Sequence, residues 1–142
     1  GIADPTKYVQ GHIRAPAGTL FGSRIAAIGD INNDGVDEIA ISVPKGQGLV
    51  STTSGNLVVY SGLLLATQSN TTTYPTYPVN AEFTKFYSPV KAFTAFAQSL
   101  FYGYVTGDGL LDFVIGAPQY STSAKNKMGR YYVYPMKALQ WN

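Results

Sequence analysis

The chain has 142 residues, 45% hydrophobic and only 13% charged, with a formal net charge of +2. That length supports one hydrophobic core. The ten Lys and Arg are scattered, with no dense patch to grip phosphates, so a nucleic-acid partner is excluded. There are no cysteines, which excludes disulfides, thiolate metal sites and cysteine nucleophiles; no apolar run approaches the roughly 18 residues of a membrane span. Fifteen Gly, eight Pro and eleven Tyr point to short strands joined by tight turns.

In chain order, residues 1–20 read as a lead-in segment that pairs with a neighbouring blade-like sheet. Opening on Gly1 with no leader pattern is what a processed chain or an excised piece would show. His12, the only histidine, lies here with no nucleophile motif nearby, and reads as a surface or strand-edge residue. Residues 21–44, FGSRIAAIGDINNDGVDEIAISVP, predict a short strand over 24–28, an Asx/Gly turn, and a buried strand over 38–43 that Pro44 ends. A polar loop then leads to Gly55 and a strand over 56–60. The spacer 63–95 carries an exposed Thr/Pro/Tyr loop, SNTTTYPTY, in which Asn70-Thr71-Thr72 is a candidate glycosylation sequon. A single helical turn is expected over 82–86, and one further strand in the spacer completes a four-stranded antiparallel sheet.

Residues 96–118, FAQSLFYGYVTGDGLLDFVIGAP, repeat the pattern of 21–44. From the turn onward the two copies align at a constant offset of 74: Gly35 on Gly109, Ile41 on Ile115, Pro44 on Pro118, and the run from Gly55 to Tyr60 on that from Gly129 to Tyr134. One residue is missing from the second copy between its Phe-led start and its turn.

The first turn carries the chemistry. Asp30, Asn32, Asp34 and Glu38 supply oxygens at positions 1, 3, 5 and 9, Gly35 allows the bend at position 6, and the Val36 carbonyl adds a further oxygen. Calcium takes six to eight hard oxygens, which this alternation supplies. An EF-hand would place its bidentate Glu at position 12, but that position is Ile41, in mid-strand; the loop is a calcium loop between strands. In the second copy Tyr104 and Thr106 replace the first two ligands, leaving only Asp108 and Asp112 as carboxylates, and a metal-free turn pinned by hydrogen bonds is expected.

The FG start, the loop from Asp30 to Glu38, the triplet Gly116-Ala117-Pro118 and the closing strands ending in Val-Tyr together resemble the FG-GAP repeats of integrin α-subunits. The first copy departs from that pattern in Ser42-Val43-Pro44 and in Glu38, where Asp is common. The resemblance implies an all-β fold of four-stranded antiparallel blades from a β-propeller, with repeat 1 over 21–62, repeat 2 over 96–142, and calcium held by the first loop. Two blades cannot close a ring of about four to eight, so further blades, from the same chain type or a longer parent, or a protein partner are expected.

Catalysis is not expected, because beyond the two loops only Asp4 and Glu82 remain as carboxylates. Tyr74, Tyr77, Tyr87 and Tyr120 fall in expected loops, where aromatics serve protein or glycan contacts or cover the spacer; Tyr131, Tyr132 and Tyr134 read as packing residues on a strand. Trp141 is placed to dock on a neighbour. The resemblance implies a non-enzymatic extracellular or cell-surface module for adhesion, matrix or surface assembly. The alternatives are a carbohydrate-binding propeller, or an accessory propeller of a larger secreted enzyme such as a glycosylphosphatidylinositol-specific phospholipase D.

Overall fold

Runs of β-branched and aromatic residues, broken by Gly, Pro and Asx, set where the strands lie. The computed structural model describes residues 15, 17–46, 54–63, 82–87, 94–122 and 126–135, with 82–87 described by backbone alone. Asp4, His12, Asn70, Tyr74, Tyr77 and Trp141 lie outside the described residues, as does most of the lead-in. The described strands are β1 (Ile25–Ala27), β2 (Ile39–Val43), β3 (Asn56–Tyr60), β4 (Glu82–Tyr87), β5 (Ser99–Gly103), β6 (Asp112–Ala117) and β7 (Arg130–Pro135). The chain turns helical at Gly62 and Leu63 as it leaves β3.

The strands form two antiparallel sheets in sequence order, β1-β2-β3-β4 and β5-β6-β7. The fold is all-β, and the fourth strand of the first sheet comes from the spacer, as expected. The helical turn expected over 82–86 is instead strand β4, which also takes up Tyr87. Its backbone pairs with β3 from Asn56↔Tyr87 to Tyr60↔Glu82, with an irregularity between Val59 and Tyr60. A lone helical turn would leave its first amides unpaired, whereas the edge of β3 pairs alternate amides along the whole segment.

The internal repeat is physical. Ile25 pairs with Ile41, and Leu100 pairs with Ile115, so β1 and β5 occupy equivalent places. The extra residue of the first copy is Ile28. The Ile28 amide donates to the Glu38 carbonyl at 2.9 Å and the Glu38 amide donates to the Gly29 carbonyl at 3.0 Å, so Ile28 and Gly29 together face one residue across the ladder. In the second copy Gly103 pairs directly with Asp112. The bulge tucks Ile28 into the core at 1% exposure.

The two sheets share that core. Leu57 and Val59 point from one face of β3, with Ile28 and Ala40, onto Phe96, Phe113, Ile115 and Ala117 of the second repeat. The opposite face of β2 and β3, with Ile41, Val43, Val58 and Tyr60, belongs to a second cluster, so β3 is buried on both sides. Hydrogen bonds join the repeats at one end: the Thr94 hydroxyl and the Phe96 amide donate to the Ser54 carbonyl at 2.8 and 3.2 Å.

The strand tyrosines divide. Tyr132 and Tyr134 pack on the shared core, but Tyr131, expected to pack, is 71% exposed. Successive side chains on a strand face opposite ways, and among the described residues no sheet covers Tyr131's side. By the offset of 74 Tyr131 corresponds to Leu57, and Val133 to Val59, which the second sheet buries in the first copy. Tyr120, placed in an exposed loop by its sequence, is instead buried against the core, with the Arg130 guanidinium 3.9 Å over its ring.

Tyr134 supplies a pH test of this packing. Burial, and secondarily the neighbouring Tyr132, raise its pKa above the usual 10.0. The unfolded chain therefore loses the phenolic proton first. The resulting stabilisation is complete below pH 10.0 and is lost as pH rises through the higher folded value. Melting temperature is expected to fall above pH 10.0, with a shallower fall in Tyr134→Phe.

Candidate metal centre

The first loop is a turn built by its own side chains. Asn33 takes a positive φ of 61°, which Asn tolerates, and Gly35 one of 88°, which favours glycine. The Asp34 amide donates to Asp30 Oδ1 and Asn32 Oδ1, both at 3.0 Å, and the Gly35 amide donates to Asp30 Oδ2 at 2.8 Å. The Val36 amide donates to Asp34 Oδ1 at 2.9 Å, and Asn32 Nδ2 donates to Asp34 Oδ2 at 3.0 Å. Oxygens that accept one such bond keep a lone pair for a cation.

Glu38 enters this turn from below, at the start of β2. It is inaccessible to solvent, although a carboxylate is rarely buried without a partner. Its Oε2 accepts the Ile31 amide at 2.9 Å, but its Oε1 is buried with no hydrogen-bond partner. Asp30, Asp34 and Glu38 each present a carboxylate oxygen, all within 4.8 Å of one another. Burial first, then repulsion from Asp34 and Asp30, raise the Glu38 pKa above its usual 4.5, against the lowering effect of the Ile31 and Asn32 amides. This cluster could hold a metal ion, which would supply the charge that the orphaned oxygen lacks. The predicted residues Asp30, Asn32, Asp34 and Glu38 are thus brought together on one turn, with the Val36 backbone beside them.

The second loop satisfies itself differently. Asp112 is also fully buried, but its Oδ2 accepts the Val105 and Thr106 amides at 2.9 and 2.8 Å, and its Oδ1 accepts the Thr106 hydroxyl at 3.2 Å. Asp108 Oδ1 accepts the Leu110 amide at 2.9 Å. The shorter Asp arm meets the loop's donors directly, and the Thr106 hydroxyl donates to the carboxylate from the place where Asn32 stands in the first copy.

The model of the FG-GAP repeat family matches residues 21–60. That stretch is similar to an FG-GAP repeat. It opens on the Phe21-Gly22 turn, takes in the whole metal loop and closes at Tyr60, the last residue of β3. The match takes in β1, β2 and β3, and such a repeat implies an all-β propeller blade and, with it, further blades or protein partners. A search of curated proteins found no match to the chain. Among the described residues no helix is long and apolar enough to cross a membrane. The sequence pattern did not reveal Gly62, which backs the loop from the end of β3; the only signal was a glycine two residues beyond the closing Tyr60.

Proposed function

We propose that this chain is a non-enzymatic, calcium-binding β-propeller module that works outside the cell through protein–protein contacts, in adhesion, matrix or surface assembly. The observation that carries the reading is Glu38 Oε1, buried without a partner beside the carboxylates of Asp30 and Asp34. Three like charges so close are repulsive until a cation joins them. Their hard oxygens suit calcium, with Asp30, Asn32, Asp34, Glu38 and the Val36 carbonyl as the set that would hold it. Loops of this kind in extracellular modules are matched to millimolar calcium, which supports a site of action outside the cell.

Contact rather than catalysis is supported by the second blade. Phe101, Tyr131 and Val133 are exposed, and their counterparts Ala26, Leu57 and Val59 pack on the shared core in the first blade. An apolar blade face of this kind is a surface for protein. In the two turns the carboxylates of Asp30, Asp34, Glu38, Asp108 and Asp112 are engaged by backbone amides.

Thermal melts in calcium and in chelator test the reading. With a dissociation constant near 10⁻⁴ M, about 1 mM calcium should stabilise the fold by roughly 1.4 kcal/mol, a shift of a few degrees. Glu38→Gln should abolish that shift while leaving the chelated protein no less stable, since it removes a buried charge repelled by its neighbours. A wild-type melt indifferent to calcium would overturn the proposal.

A further inference from the structure

We infer that Gly62 is a positioning residue for the metal loop, and that its lack of a side chain is a condition of calcium affinity. The inference rests on the calcium reading above. Gly62 lies two residues beyond Tyr60, which pairs with Ile39 at the loop end of β2. A Cβ on Gly62 would overlap the Asp37 carbonyl oxygen and stand 3.0 Å from Val36 Cγ1. The atom it meets first is backbone, so no rotamer change makes room.

Asp37 joins two donors of the set: Val36, through its carbonyl, and Glu38, through its buried carboxylate. Pushing Asp37 outward moves both together. Asp30, Asn32 and Asp34 stand on the other half of the turn, held by their own hydrogen bonds. A side chain at position 62 therefore separates the two halves of the site. Calcium–oxygen bonds of about 2.3–2.6 Å do not stretch to follow a displacement of an ångström, so ligands are lost.

The chain supplies its own control. A Cβ on Gly46 would stand 2.6 Å from Val43 Cγ1 and 2.9 Å from Asn56 Nδ2, a clash at the opposite end of β2 from the loop. Both Gly62→Ala and Gly46→Ala strain the first blade, but only Gly62→Ala touches the metal loop.

Calorimetric titration with calcium on the wild type and both variants decides the matter. Gly62→Ala should raise the dissociation constant by at least about tenfold, and Gly46→Ala should change it by less than about twofold. A wild-type titration curve with an unchanged constant in Gly62→Ala overturns the role of Gly62 and leaves the calcium reading standing. A wild type that does not bind calcium overturns both. If Gly62→Ala does not fold, a calcium titration of the wild type followed by NMR serves instead. The Gly62 resonances should shift with the same midpoint as those of Gly35 and Glu38, and Gly62 resonances that stay still overturn the inference.

Discussion

Phe96→Ala is expected to destabilise the chain by about 3–5 kcal/mol, a large share of the roughly 5–15 kcal/mol that holds a domain together. Phe96 is fully buried and meets Tyr132 and Tyr134 edge-on, with centroids at 5.6 and 6.4 Å and interplanar angles of 61° and 88°. Truncation removes both ring contacts and opens a cavity where the two blades meet. The surroundings cannot collapse into it easily, because the Phe96 backbone is tied to Ser54 on one side and lies against Gly55 on the other. Phe21, the equivalent residue of the first repeat, is only partly buried at the margin of the smaller cluster, and Phe21→Ala should cost less. Urea denaturation of both variants measures the difference. A loss under about 1 kcal/mol for Phe96→Ala would mean that the blades do not pack through this ring.

Gly55→Ala should be comparably severe, for a different reason. Its φ of +98° is a conformation that side chains resist, and an added Cβ would stand 2.5 Å from the Phe96 carbonyl oxygen, 2.7 Å from that of Pro44 and 2.9 Å from the Phe96 amide nitrogen. Every one of those atoms is backbone, so relief requires both the Phe96 segment of the second repeat and the Pro44 turn of the first to move. Strain and displacement together should cost about 4 kcal/mol. Gly129, its equivalent in the second repeat, has φ +75°, but the nearest atom to its Cβ would be the Pro118 carbonyl oxygen at 3.5 Å. Gly129→Ala therefore meets strain without a clash and should cost only about 1 kcal/mol. Equal losses at the two glycines, measured by denaturant midpoint, would show that the seat of Phe96 over Gly55 contributes nothing. The contrast separates close backbone approach, chiefly by Phe96, from local backbone preference, because the two glycines share the same place in the repeat.

The parts of this molecule legible from residues alone are those governed by neighbours in the chain. The Asx/Gly turn from Asp30 to Glu38 closes through hydrogen bonds spanning at most seven residues, so its ligand pattern can be read locally. Pro44 and Pro118 stop strands for the same local reason. Strand β4 was illegible because its identity depends on the free edge of β3, more than twenty residues earlier in the chain. Tyr131 was misread because a strand sequence shows two faces without showing which of them another sheet covers. Ile28, expected as the last residue of a regular strand over 24–28, is the residue absent from the second copy, and in the structure it forms a bulge that fills the core.

By itself the sequence determined that this is an all-β chain of two related repeats, the first bearing a loop with metal-ligand spacing. Period-two patterning and turn chemistry are properties of a few adjacent residues, and they survive without knowledge of the rest of the chain. Only the tertiary structure decided which blade face is buried, which carboxylate oxygen lacks a partner, and which glycine stands behind the loop. The first and last depend on residues far apart in the chain meeting in space, Leu57 in one core with Phe113 and Gly62 against Asp37. The orphaned oxygen of Glu38 depends on its burial beneath the turn. Burial and steric exclusion arise only when such distant segments come together, and they are what turn a pattern of oxygens into a site poised for a cation.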